Sequence, residues 1–242
     1  VKLIADGLLT PKSKIIVETP SYINSIRTWH KIHSKMIPLS IDYIRNNIHA
    51  IFKEDEDYSN SIFYCNPTLH NPTSHTYTLK EKEQILEQCK AKGIPVVEDD
   101  IYSELWFEGP IPKSMKELDT SHNVLYLGSL SKTVSPGLRI GWLIGNERVI
   151  NHLADLKMQN DYGASSISQF IATKWLAHYH ETHIGEIKRN LKRRKDMMED
   201  ALSESFSDIG RWSKVEGSFY IWFRFNESID LKRLFKLALE EG

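Results

Sequence analysis

Val124-Leu125-Tyr126-Leu127-Gly128-Ser129-Leu130-Ser131-Lys132-Thr133-Val134-Ser135-Pro136-Gly137-Leu138-Arg139-Ile140-Gly141-Trp142-Leu143-Ile144 is the stretch on which the fold turns. Two apolar runs, Val124 to Leu127 and Ile140 to Ile144, bracket a small-residue loop that carries one lysine, two nearby serines and an arginine seven residues on. Short apolar runs bounded by turn residues read as buried strands, and a loop between such strands is where α/β sheets display reactive groups. A lysine amine there can condense with a carbonyl. Hydroxyls and a guanidinium beside it suit a phosphate, which they bind through charge-assisted hydrogen bonds.

Outward from that loop, apolar runs alternate with amphipathic stretches, the α/β pattern. Val1 to Leu9 reads as a helix end closed by Thr10-Pro11. Ile15 to Val17, Lys35 to Leu39, Ser61 to Cys65 and Ile94 to Glu98 read as strands, and Ile41 to Phe52 as a helix. Thr78 and Glu81 stand at capping-box spacing before a helix that runs to Lys92 and ends at Gly93. From Glu147 the pattern turns helical: Val149 to Asn160, Ser168 to His178 and Ile184 to Leu202. Arg211 to Lys214 and Phe219 to Phe225 follow as strands around a Gly217 turn, then a last helix from Leu231. A large unit over 1–180 and part of a smaller one over 181–242 is the expected organisation.

At 242 residues the chain can bury a sizeable core. A formal net charge of -1 gives no electrostatic case for nucleic acid. The basic run Lys188 to Lys195 reads as the solvated face of a long helix. No 18-residue apolar run suits a membrane span, and no signal-peptide pattern opens the chain. Cys65 and Cys89, in a strand and a helix, read as buried reduced thiols, and the expected compartment is cytoplasmic. With neither a methionine start nor a terminal cap, the chain reads as a fragment truncated at both ends.

The run SLSKTVSPGLRIGW resembles the pyridoxal phosphate lysine signature of the class I/II aminotransferases, proteins of fold type I. The resemblance implies a mostly parallel central sheet flanked by helices, a smaller C-terminal α+β domain and a homodimer. It also implies a Schiff base between Lys132 and pyridoxal phosphate, and a phosphate cup from Ser129, Ser131 and Arg139. Asp99-Asp100-Ile101-Tyr102 resembles the family's D-x-x-Y element. That gives Asp99, with Asp100 as the rival position, to the pyridine nitrogen, and Tyr102 to the ring oxygen. Asn71-Pro72-Thr73 resembles the N-P-T-G element, whose Asn also serves that oxygen; Ser74 stands where the family has Gly, so a differently shaped loop is expected. Glu18-Thr19-Pro20-Ser21-Tyr22 resembles the segment that lays an aromatic ring, here Tyr22, on the cofactor face. Trp142 is expected in the core.

Two family features are missing from the pattern. Neither the glycine-rich phosphate loop nor the arginine that clamps the substrate carboxylate can be located, and Arg224 and Arg233 are unconvincing substitutes for the latter. Gly217 to Trp222 resembles the small-domain element that precedes that arginine.

Two functions share these residues. One is amino-group transfer between an amino acid and a 2-oxo acid. The other is effector sensing in a MocR-type GntR-family transcription regulator, which Glu98 to Phe107 and Leu125 to Trp142 also resemble. In that case DNA would be bound only by a winged helix-turn-helix outside this chain. A decarboxylase or lyase of the same fold type is a third reading.

Overall fold

The computed structural model describes residues 1–241. Five parallel strands form the heart of the molecule: β1 (Lys14–Thr19), β2 (Lys35–Ser40), β3 (Ser61–Cys65), β4 (Val96–Asp99) and β5 (Val124–Ser129). They lie in the order β2-β1-β3-β4-β5, and β6 (Gly141–Ile144) adds antiparallel to β5 at one edge. Every residue of β3 and β4 is buried, as parallel strands covered on both faces require.

Successive side chains leave opposite faces of a strand, and the core divides accordingly. Ile16, Phe63, Cys65, Val96 and Val124 face one layer. Its cover comes from α3 (Ile41–Asn46), α4 (Leu79–Ala91) and α5 (Met115–Leu118), which contribute Ile44, Ile85, Cys89 and Met115. Ile15, Val17, Ile62, Tyr64, Val97 and Leu125 face the other layer. There they meet Ile4 of α1 (Lys2–Leu8), Trp29 of α2 (Ile23–His30) and Leu153 of α6 (Glu147–Asp161). Both cysteines are free and buried, as expected.

Beyond α6 come α7 (Ser166–His178) and α8 (His180–Ser205). A separate two-stranded sheet of β7 (Gly210–Trp212) and β8 (Phe223–Phe225) follows, then α9 (Leu231–Glu241). Among the described residues no helix is long and apolar enough to cross a membrane.

Four expectations are corrected. The helix from Ile41 stops at Asn46 instead of Phe52: Asn47 leaves helical backbone at φ −120° and ψ 31°, and both its N–H and its side-chain amide donate to the Tyr43 carbonyl. Ile51 and Phe52 are buried instead in irregular chain, where the Ile51 N–H donates to Gln88 Oε1 at 2.7 Å. The apolar run after Arg139 is an exposed edge strand, with Ile144 50% and Trp142 41% exposed. Trp142 is thus not core: its indole covers Gly128, where an added Cβ would stand 2.3 Å from the ring. Finally, β7 and β8 are not joined by a tight Gly217 turn. The chain between them reaches back to the large sheet's loops, where Gly217 bridges Trp106 and Ser218 carries the positive φ of 63°.

Candidate functional site

Four parallel strands end on one edge, and the loops that leave them carry the candidate side chains: Tyr22 after β1, Asn71 after β3, Asp99 and Tyr102 at and after β4, Lys132 after β5. Chain direction alone gathers them on the edge where open α/β sheets bind ligands.

Asp99 is the last residue of β4 and is buried. Its Oδ2 accepts from the Tyr64 hydroxyl at 2.5 Å, whereas Oδ1 is buried with no partner among the described residues. Burial pushes the carboxyl up to about 6, and the Tyr64 bond pulls the other way. Asp100 points elsewhere: its Oδ2 accepts from Ser103 at 2.9 Å and Tyr126 at 3.0 Å. Of the two acids, Asp99 lies in the layer of Tyr64.

Asn71 Nδ2 donates to the Tyr102 hydroxyl at 3.0 Å and to the Tyr220 hydroxyl at 3.1 Å. The structure therefore brings Asn71 and Tyr102 together and adds Tyr220 from the chain between β7 and β8. Asn66 ties the loop to the acid. Its Oδ1 accepts from the Asn71 N–H at 2.8 Å, and its Nδ2 donates to the Asp99 carbonyl at 2.5 Å. Ser74 takes φ 56°, the left-handed value a glycine would take, and its hydroxyl donates to the Tyr220 carbonyl at 2.5 Å.

Glu18 lies beneath this loop, fully buried, accepting from the Asn66 N–H at 2.7 Å. His70 Nε2 is 3.5 Å from Glu18 Oε2. Burial holds the imidazole down at about 3 and lifts the Glu18 carboxyl to about 7, so the contact is no ion pair at neutral pH.

Lys132 is half-buried on the turn that the Val134 and Ser135 N–H groups close onto the Leu130 carbonyl. Its Nζ stands 5.8 Å from the centroid of the Phe219 ring. The Ser129 hydroxyl donates to Ser131 Oγ at 3.0 Å, so the two serines are together. Arg139 is exposed, in left-handed backbone, and its guanidinium donates to the Pro136 carbonyl at 3.1 Å, not to the serines. Tyr22 caps the start of α2 with its ring 43% exposed and its hydroxyl accepting from Asn24 at 2.7 Å.

Sequence reading missed Tyr64, Asn66 and Tyr220. A tyrosine inside the otherwise apolar run Ser61 to Cys65 is the one local signal for the first. Tyr220 lies in the Gly217 to Trp222 stretch, whose family resemblance marks no single residue.

Residues 1–242 match the family model described as aminotransferase class I and II. Among curated relatives, the chain is 39% identical over 236 residues to the uncharacterized HTH-type transcriptional regulator YisV of Bacillus subtilis, covering 97% of this chain and 49% of that protein. It is 34% identical over 236 residues to the HTH-type transcriptional regulator NorG of Staphylococcus aureus, covering 97% and 53%. The chain thus spans about half the length of these regulators. Among solved structures, the Pyrococcus horikoshii kynurenine aminotransferase in complex with PMP superposes with a TM-score of 0.91 at 29% identity, over 100% of this chain and 61% of that one.

Proposed function

The chain belongs to the aminotransferase class I and II family, and from that membership we propose that it is the pyridoxal phosphate-binding half of a helix-turn-helix transcription regulator. The observation that carries the cofactor reading is the buried, unpartnered Oδ1 of Asp99 on the same sheet edge as Lys132. A lone buried carboxylate oxygen suits a positively charged N–H donor, as a protonated pyridine nitrogen is. The share of the chain in YisV and NorG supports the regulator reading, with DNA contacts made by sequence outside these residues.

When bound, pyridoxal phosphate supplies an aldehyde for amines to condense with and a ring that accepts the electron pair left at a substrate α-carbon. Asp99 would hold the ring nitrogen in its charged form. The Tyr102 hydroxyl and Asn71 Nδ2, 3.0 Å apart, would donate to the ring oxygen, which requires the Asn71 amide to give up one of its two hydroxyl partners. Ser129, Ser131 and Arg139 hold the phosphate, which requires the Arg139 guanidinium to leave the Pro136 carbonyl. Tyr22 offers its open face to the ring. Lys132 would supply the amine that condenses with the aldehyde, and the same amine would be placed to move a substrate α-proton as general acid and base. These roles permit amino-group transfer between an amino acid and a 2-oxo acid as well as sensing of the amine. The kynurenine aminotransferase likeness supports retention of transfer chemistry.

The separate β7–β8 sheet supports a division into a large unit over 1–180 and a smaller one over 181–242. The exposed apolar side chains Tyr162, Ile167 and Phe170, at 87%, 73% and 64%, support a homodimer.

The test is borohydride reduction of the pyridoxal phosphate-loaded chain followed by peptide mapping. The adduct is expected on Lys132 and absent from Lys132→Ala. An undiminished adduct in that variant sinks the assignment. Reading the parent gene for a winged helix-turn-helix tests the regulator half of the proposal.

A further inference from the structure

A cavity of about 240 Å³ lies where the ends of β1 and α3, the Thr73–His75 loop and the β7–β8 pair meet. None of Tyr22, Asn71, Asp99, Tyr102 and Lys132 lines it; Arg45, Arg211, Arg224, His75, Trp212 and Trp222 do. At the roughly 30 Å³ that a water occupies in the liquid, the space takes on the order of eight non-hydrogen atoms.

Its lining carries more donors and positive charge than its own acceptors use. Arg45 Nε meets Glu81 at 3.3 Å and Arg224 Nη1 meets Asp42 at 3.0 Å, while Arg211 meets no carboxylate among the described residues. Trp222 Nε1 and His75 Nε2 are both buried without a partner among the described residues. An indole N–H can only donate, and a buried donor without an acceptor is costly. Burial, and the Arg45 charge next, hold His75 down at about 4, so it is neutral at physiological pH and the net positive charge comes from the guanidinium groups. Ile41, Pro20 and Trp212 leave one flank apolar.

We propose that this cavity binds a small organic anion bearing a carboxylate or phosphate group, held by Arg211, Arg224 and the Trp222 indole N–H. The cavity joins the sheet's loops to the β7–β8 pair. Ser213 Oγ already donates to the Thr73 carbonyl at 3.1 Å there, two residues from Asn71. An anion in it adds further ties between the two parts, beside the loop that positions Asn71.

The experiment is a titration of the chain with succinate, and in parallel with inorganic phosphate, at low ionic strength. It is read on the indole N–H resonances, and Trp222→Phe assigns the relevant one. The Trp222 resonance is expected to move saturably with at least one anion, and whichever moves it names the ligand class. Arg211→Gln, a change at an exposed side chain with no fold at stake, should weaken that binding about tenfold, the loss of one hydrogen bond to a charged group. Lys132→Ala should bind as the unaltered chain does, which separates this site from the cofactor reading. A Trp222 resonance unmoved by both anions overturns the proposal. So does binding that survives unweakened in both Arg211→Gln and Arg224→Gln, or that Lys132→Ala removes.

Discussion

Asp99→Asn separates what the site needs from what the fold prefers. Burial lifts the Asp99 carboxyl from the ordinary 3.8 to about 6. The folded chain therefore holds that proton more tightly than the unfolded chain does. The sign follows: below about pH 4 the group costs nothing, and stability falls as pH rises through the window up to about 6. At 1.36 kcal/mol per tenfold change in proton affinity, the charged carboxylate costs the cofactor-free fold about 3 kcal/mol at neutral pH. The asparagine removes this cost and keeps an acceptor for Tyr64. It also places an amide N–H where Oδ1 had no partner, at about 1–3 kcal/mol that does not vary with pH. The pH dependence thus isolates the ionisation. Urea unfolding of both chains without cofactor, at about pH 4 and pH 8, should show the variant gaining about 2–3 kcal/mol relative to the parent across the interval. Pyridoxal phosphate should bind the same variant much more weakly, since a neutral amide cannot hold a pyridinium. A stability difference that stays flat with pH, or a variant that retains the cofactor as the parent does, would refute the reasoning.

Gly217→Ala should lose about 1–3 kcal/mol in urea unfolding, because the new Cβ would stand 2.6 Å from both the Leu105 carbonyl oxygen and Leu69 Cδ1. Tyr220→Phe deletes a hydroxyl bonded to Asn71 at 3.1 Å; it should cost about 1 kcal/mol of stability and speed the release of pyridoxal phosphate, followed by absorbance after dilution. Lys82→Ala removes a buried ammonium that donates to Thr68 at 2.8 Å and the Lys113 carbonyl at 2.7 Å near the buried Glu98. A loss of about 1–3 kcal/mol is expected by chemical denaturation, because the buried Thr68 hydroxyl and the Lys113 carbonyl lose their donor.

What the sequence disclosed was whatever local pattern governs. The Thr78–Glu81 capping box forms as its spacing implies, with Thr78 and Glu81 bonding each other's backbone N–H. The parallel strands, each followed by a loop, deliver Asn71, Asp99, Tyr102 and Lys132 to one edge because chain direction alone decides which end a loop leaves from. The basic run on α8 is a solvated face, with Lys195 meeting Glu199 at 3.0 Å one turn on. Contacts between distant residues left no such trace. Tyr64 reaches Asp99 across 35 residues and Tyr220 reaches Asn71 across 149, and nothing periodic marks either partner. The exposure of β6 was hidden for a related reason: an apolar run says that a strand forms, not which of its faces a neighbour covers.

Ser74 shows how such a distant contact can offset a local preference. By sequence alone, serine in place of the family's glycine implies a loop of another shape. In the fold the residue keeps the left-handed backbone at φ 56°, which costs a non-glycine residue roughly 1–2 kcal/mol. Its hydroxyl donates to the Tyr220 carbonyl at 2.5 Å, a net gain of about 1 kcal/mol that glycine could not make. The two effects are of similar size, so the hydroxyl's bond offsets the backbone cost of the serine. The serine also ties down the segment that bears Phe219, 5.8 Å from the Lys132 amine, and Tyr220, bonded to Asn71. The strained residue and the β7–β8 segment therefore hold each other in place. A departure from the family pattern becomes a tether between the lysine-bearing edge and the part of the chain that closes over it.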